Sequence, residues 1–183
     1  MRIDSTTIIL DGNPILRQKA SEVALPLSDE DRALLTEMIE YVRNSHDEEY
    51  CKANNVRASV GIAAPQIAVS KKLLAISIED GETSVEFALA NPKIVSNSTQ
   101  LSYLENGESC LSVTPDVEGI VPRFARVTVR AYNMLTDRLE NIRLSGYPAI
   151  VMQHEIDHLY GHLYYDHINK KDPWRKIPGA QII

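Results

Sequence analysis

A chain of 183 residues with 44% hydrophobic side chains is the size of one ordinary domain and can bury a core of its own, so a single domain over 1–183 is expected. A formal net charge of −6 argues against a general nucleic-acid binder, which concentrates Lys and Arg against phosphates, and no direct nucleic-acid site is predicted. The opening Met1-Arg2-Ile3-Asp4-Ser5 has no apolar signal core and no run reaches the length of a membrane span, which predicts a cytoplasmic protein without membrane contact.

In chain order, the first element is a helix beginning at Ser28. Its hydroxyl suits an N-cap, Asp29, Glu30 and Asp31 favour the positive first turn, and Leu34, Leu35, Met38, Ile39 and Val42 make one apolar face. A polar stretch over 44–55 follows as helix end or loop and leads into a tight run of small residues, Gly61-Ile62-Ala63-Ala64-Pro65-Gln66. From there the period changes to strands. Residues 73–78 and 85–90 flank Asp80-Gly81, a hairpin signal, and Val127, Val129 and Ala131 alternate with Arg126, Thr128 and Arg130. Antiparallel sheet is the expected result. Between these strands lies Gly107-Glu108-Ser109-Cys110-Leu111-Ser112, followed by a turn-forming stretch over 115–119. A last helix starts near Pro148, which suits a first helical turn, and stops at Gly161.

That helix carries His154-Glu155-Ile156-Asp157-His158. At 3.6 residues per turn, imidazoles four positions apart share a face and can reach one cation, while Glu155 sits beside a bound water as a base without ligating. Surface helices also match this pattern by chance, so a third ligand decides. Peptidases with the motif take theirs downstream, but no glutamate follows Glu155, and Tyr164 stands where an extended pattern has its last histidine. His162 and His167 read as solvated surface residues. Upstream, Cys110 as a free thiolate completes a Cys/His/His set with one position open, and a reducing compartment argues against its pairing with Cys51, which is left a bystander. Lys170, Lys171, Arg175 and Lys176 read as a solvated basic tail.

Three segments together, Gly-Ile-Ala-Ala-Pro-Gln at 61–66, Glu-Ser-Cys-Leu-Ser at 108–112 and Gln-His-Glu-Ile-Asp-His-Leu at 153–159, resemble the signature motifs of the peptide deformylases in their usual order, with the longer bacterial subclass as the nearest form. Ser59 and Ser109 stand where that family usually has glycine, which bears on the substrate groove rather than the metal site. The resemblance implies an α+β catalytic domain in which antiparallel sheets pack around a central C-terminal metal-binding helix, with an N-terminal helix. It implies one divalent ion on Cys110, His154 and His158, ferrous iron natively, with zinc, nickel or cobalt as alternatives in purified protein. Glu155 is then the base, with the Gln66 amide and the Leu111 N–H as oxyanion donors. Val60, Gly61, Tyr147, Ile150 and Val151, with Ser109 beside them, match the methionine pocket. Glu108 and Asp157 are candidates to orient the histidines, and Arg123 to pair with Glu108.

The substrate implied is the N-formylmethionyl nascent peptide, with transient ribosome proximity and release of formate. Two rivals share parts of the motif: an HExxH metallopeptidase, which would cut internal peptide bonds, and a non-catalytic zinc module, which would close the fourth position with protein.

Overall fold

The computed structural model describes residues 2–80 and 83–183. Helix α1 (Asp29–Asn44) starts where the hydroxyl of Ser28 accepts from the Asp31 N–H at 3.1 Å. Leu35, Met38, Ile39 and Val42 are buried with Leu73, Ala75, Ala88 and Ala90 of the neighbouring sheet. Each such side chain contributes roughly 1.5–3 kcal/mol relative to exposure. The polar stretch after α1 is neither helix end nor loop but a separate short helix, α2 (Glu48–Asn54). Asp47 caps it by accepting from the N–H groups of Glu49 and Tyr50, and Asn55 ends it in the left-handed region at φ 53°. None of its residues is fully buried.

The larger sheet is built from β1 (Gly61–Ala63), β2 (Leu73–Asp80), β3 (Thr83–Asn97), β6 (Arg126–Asn133) and β7 (Arg138–Ser145), side by side in that order and all antiparallel. Strands β2 and β3 pair from Leu73↔Ala90 to Glu79↔Ser84, the register of a hairpin, while Gly81 of the predicted turn lies outside the described residues. Strand β3 runs well beyond the predicted 85–90. Register shifts between Ala90 and Lys93 and between Ile94 and Ser96 carry it past Asn91-Pro92, a dipeptide that hides the continuation because proline offers no ladder donor.

The second sheet is built from β4 (Leu101–Tyr103), β5 (Arg123–Phe124) and β8 (Gln181–Ile182), with β4 in the middle. The strands over 61–145 are antiparallel, as expected; β8, which sequence reading did not foresee, joins β4 in parallel, because the C-terminal segment runs along the open edge in the same direction as β4. Helix α3 (Gly146–Leu159) lies between the two sheets. Ala149, Met152, Ile156 and Leu159 pack on Leu74, Ile76, Leu89 and Val129, while Gln153 on another side exchanges two hydrogen bonds with the Phe124 backbone, 2.9 and 3.0 Å long. Packing on both sides explains why most of this helix is buried, its polar Gln153, His154, Glu155 and His158 included. It stops at Gly161, whose φ is +79° and where a Cβ would stand 2.7 Å from the Arg17 backbone. Among the described residues, no helix is long and apolar enough to cross a membrane.

Candidate active site

One helical turn of α3 brings His154 and His158 to a common face, and the segment after β4 delivers Cys110 to them. The candidate ligand atoms of all three lie within 4.8 Å of one another, with Cys110 Sγ 3.4 Å from His158 Nε2. Burial by itself raises a thiol's pKa, but His158 and His154 outweigh it and bring Cys110 down to about 5. Burial lowers His154, and Cys110 and Glu108 lift it well above the usual imidazole range. A thiolate and imidazoles held this close are what a divalent cation replaces protons to bind.

The His154 ring is oriented from behind. Its Nδ1 lies 2.8 Å from Glu108 Oε2, so Nδ1–H donates there and Nε2 is left as the ligand atom. Glu108 accepts a two-pronged bond from Arg123 at 2.8 and 2.9 Å, and the third arm of Arg123 reaches Asp157 at 2.5 Å. Arg123 is only 4% exposed, so the pairing weighed from sequence is a buried one. Burial pushes Glu108 up, but the guanidinium and then His154 hold it at about 2. Removing one member strands a buried charge, a loss of about 3–5 kcal/mol. Asp157 differs from expectation: it grips Arg123 and His167 rather than a ligand histidine.

Glu155 points into the cleft beside this cluster. Burial lifts its pKa to about 7 against the opposing pull of His154 and His158, and Oε2 has no hydrogen-bond partner among the described residues. Gly61 is what lets it lie there, since a Cβ at that position would stand 2.6 Å from Glu155 Oε1. The Ala63 N–H donates to Gln66 Oε1 at 2.9 Å, which turns Nε2 of Gln66 toward Cys110 Sγ at 3.5 Å and Ser112 Oγ at 3.3 Å. The Leu111 carbonyl is held by Arg57 Nη1 at 2.9 Å.

A cleft of about 640 Å³ opens over these groups. Val60, Gly61, Ser109, Tyr147, Ile150 and Val151 all line it, together with Gln66, Cys110, Leu111, His154 and Glu155. Neither Ser59 nor Ser109 has positive φ, so the backbone does not demand glycine at either position. Ser59 uses its hydroxyl to hold the Gly61 carbonyl at 2.6 Å.

Sequence reasoning missed the opposite wall, made by Ser45, His46, Glu48, Cys51, Lys52 and Arg57. Cys51, expected to be a bystander, lies half-buried in that wall with a free thiol. Tyr164 was also missed, and its ring stacks on His154 at 5.9 Å and 18°. His162 is exposed, as expected. His167 is not merely solvated, because Nε2 lies 2.8 Å from Asp157 Oδ2. The only local signal for these contacts was the run of ring-bearing residues after Gly161.

A family model described as polypeptide deformylase matches residues 5–174. The peptide deformylase 2 of Bacillus cereus is 51% identical over 168 residues, 91% of each chain. The peptide deformylase of Limosilactobacillus reuteri is 49% identical over 180 residues, 96% of each chain. Among solved structures, the peptide deformylase from Thermus thermophilus superposes with a TM-score of 0.70 at 31% identity, covering 91% of this chain and 87% of that one. A probable peptide deformylase from a Synechococcus phage gives 0.69 at 31% identity, covering 88% of this chain and 98% of that one.

Proposed function

The chain belongs to the polypeptide deformylase family, and from that premise we propose the residue roles by which it removes the N-formyl group from the initiator methionine of newly made proteins, releasing formate. The observation that carries the assignment is the convergence of Cys110, His154 and His158 beside a buried Glu155 with an unpartnered oxygen. The rival peptidase reading lacks a downstream ligand.

Cys110, His154 and His158 would hold one divalent cation, and the fit rests on the donor set itself: a lowered thiol and two imidazoles, one with its far nitrogen tied to Glu108. When bound, such an ion lowers the pKa of its water toward neutrality and so supplies a nucleophile at physiological pH. Glu155, beside the ligands but not among them, takes the proton during attack on the formyl carbon and returns it to the leaving amine. Gln66 Nε2 and the Leu111 N–H donate to the oxygen that becomes negative. Val60, Tyr147, Ile150 and Val151 receive the methionine side chain, an apolar wall suited to a flexible thioether. Thiolate and imidazole suit iron, zinc, nickel and cobalt alike, and ferrous iron is the native ion proposed here, to be checked by elemental analysis of protein purified without oxygen. The enzyme works in the cytoplasm on nascent peptides, close to the ribosome for the moment of contact.

The test is substrate discrimination. Formyl carries only hydrogen on its carbonyl carbon, so a site closed by Gln66 and Leu111 admits it and excludes the methyl group of acetyl. Purified enzyme should release formate from a formyl-methionyl peptide far faster than acetate from the acetylated one. Equal rates, or internal cleavage of an unformylated peptide, would reject the reading.

A further inference from the structure

Behind the ligand histidine, the hydrogen bonds do not stop at Glu108. His154 Nδ1 meets Glu108 Oε2 at 2.8 Å, Glu108 meets Arg123 at 2.8 and 2.9 Å, Arg123 Nη1 meets Asp157 Oδ2 at 2.5 Å, and that same oxygen meets His167 Nε2 at 2.8 Å. The line therefore runs from the buried ligand to a ring whose side chain is 38% exposed at the surface. Asp157 has its backbone carbonyl engaged by the N–H groups of Tyr160 and His162, both at 3.0 Å, so the residue is anchored and its carboxylate is what the two donors position.

A second contact reaches the same ligand from the same place. His167 ends a single 3-10 turn, Tyr164–His167, whose first residue stacks on the His154 ring, and the hydroxyl of that Tyr164 accepts from the Val117 N–H at 2.7 Å. The turn thus touches His154 directly through Tyr164 and through four hydrogen-bonded groups by way of His167.

We propose that His167 is a positioning residue for the cation site: it holds the same Asp157 oxygen that receives the third arm of Arg123 and so sets that arm and, through Glu108, the plane of the His154 ring. The inference rests on the metal reading above. It predicts that a surface imidazole outside the lining of the cleft tunes how the cation is held. An ordinary exposed ion pair contributes little, but here the far partner, Arg123, is buried and shared with Glu108, so a lost bond is transmitted rather than absorbed by water.

The experiment uses the whole protein loaded with cobalt(II), read by its visible absorption bands and by the rate of cobalt transfer to a chelator. Partners that orient a ligand directly are worth 10–100-fold in metal affinity, so His167→Ala, further out, should speed release by about three- to tenfold and shift the bands. His167→Gln, whose amide nitrogen reaches about as far as Nε2, should return both readouts to within about twofold of wild type on the same scale. His162→Ala, an exposed neighbour, should change neither. Unchanged bands and release in His167→Ala would overturn the proposal, as would a Gln variant no better than Ala. An Ala variant that melts earlier without cobalt and is not rescued by Gln would mark a merely structural role and count against it. Wild type that holds no cobalt would overturn the metal reading, and this proposal with it.

Discussion

The two walls of the cleft are built in opposite ways. The inner wall, from α3 and the 107–112 segment, is buried and cross-braced: Glu108, Arg123 and His154 are each under 10% exposed and held by bonds no longer than 2.9 Å. The outer wall, from Ser45 to Arg57, is carried by the short helix α2, which has no buried residue and one exposed i, i+4 pair, Glu48 with Lys52 at 3.4 Å, although Ser45 ahead of it is buried. Positions in the inner wall must hold atoms to within a fraction of an ångström, and the low dielectric there makes each lost partner expensive. Apart from Arg57, which holds the Leu111 carbonyl, the residues named in the outer wall make no hydrogen bond to Cys110, His154, Glu155 or His158, so the exposed α2 positions should tolerate change.

That contrast orders the expected effects of mutation. Cys110→Ser should lose the metal and abolish turnover, whereas Cys51→Ser, on the outer wall, should retain both. Metal content and formate release measured on the two proteins would break the comparison if they fell together. Glu155→Ala should keep its metal and lose about 10²–10⁴ in kcat, the usual contribution of a positioned acid/base. Loss of metal in that variant would make Glu155 a ligand instead. Gly61→Ala places a Cβ 2.6 Å from Glu155 Oε1 and must push the carboxylate aside. The metal should stay while kcat falls on the order of 10²-fold, as for other misplacements of about an ångström. A fully active Gly61→Ala enzyme would show that Glu155 has freedom the packing denies it. Smallest of all, Glu48→Gln and Lys52→Gln should each change kcat/KM by less than about twofold, since an exposed pair contributes little. A larger effect on longer substrates than on a formylated dipeptide would sharpen the outer wall's role into one of peptide binding.

Much of this was readable from residues alone. Ser28 with three acidic residues after it announced α1, and the 154/158 spacing put two imidazoles on one helical face, which became a cation site only with a third ligand. Cys110 was reachable because no glutamate follows Glu155 and Tyr164 stands where an extended pattern has its last histidine. The α2 helix escaped notice because a capped helix of about two turns has no apolar period to detect. The parallel β8 escaped because two residues at the end of a polar tail carry no strand signal. His167 was read as solvated because nothing next to it in sequence explains where its ring points; Asp157, its partner, is ten residues away across the Gly161 turn.

What the sequence determined by itself was therefore the set of side chains and the local form: a glutamate between two histidines on one helix, a cysteine able to join them, an N-capped helix and alternating strands. These follow from side-chain type and periods of a few residues. Only the tertiary structure decided how the pieces are held: that Glu108 reaches His154 across 46 residues of chain, that Arg123 is buried between two carboxylates, and that Gly61 leaves room for Glu155. Such contacts depend on how α3 is clasped between two sheets, and no local pattern encodes a distance between segments that only packing brings together.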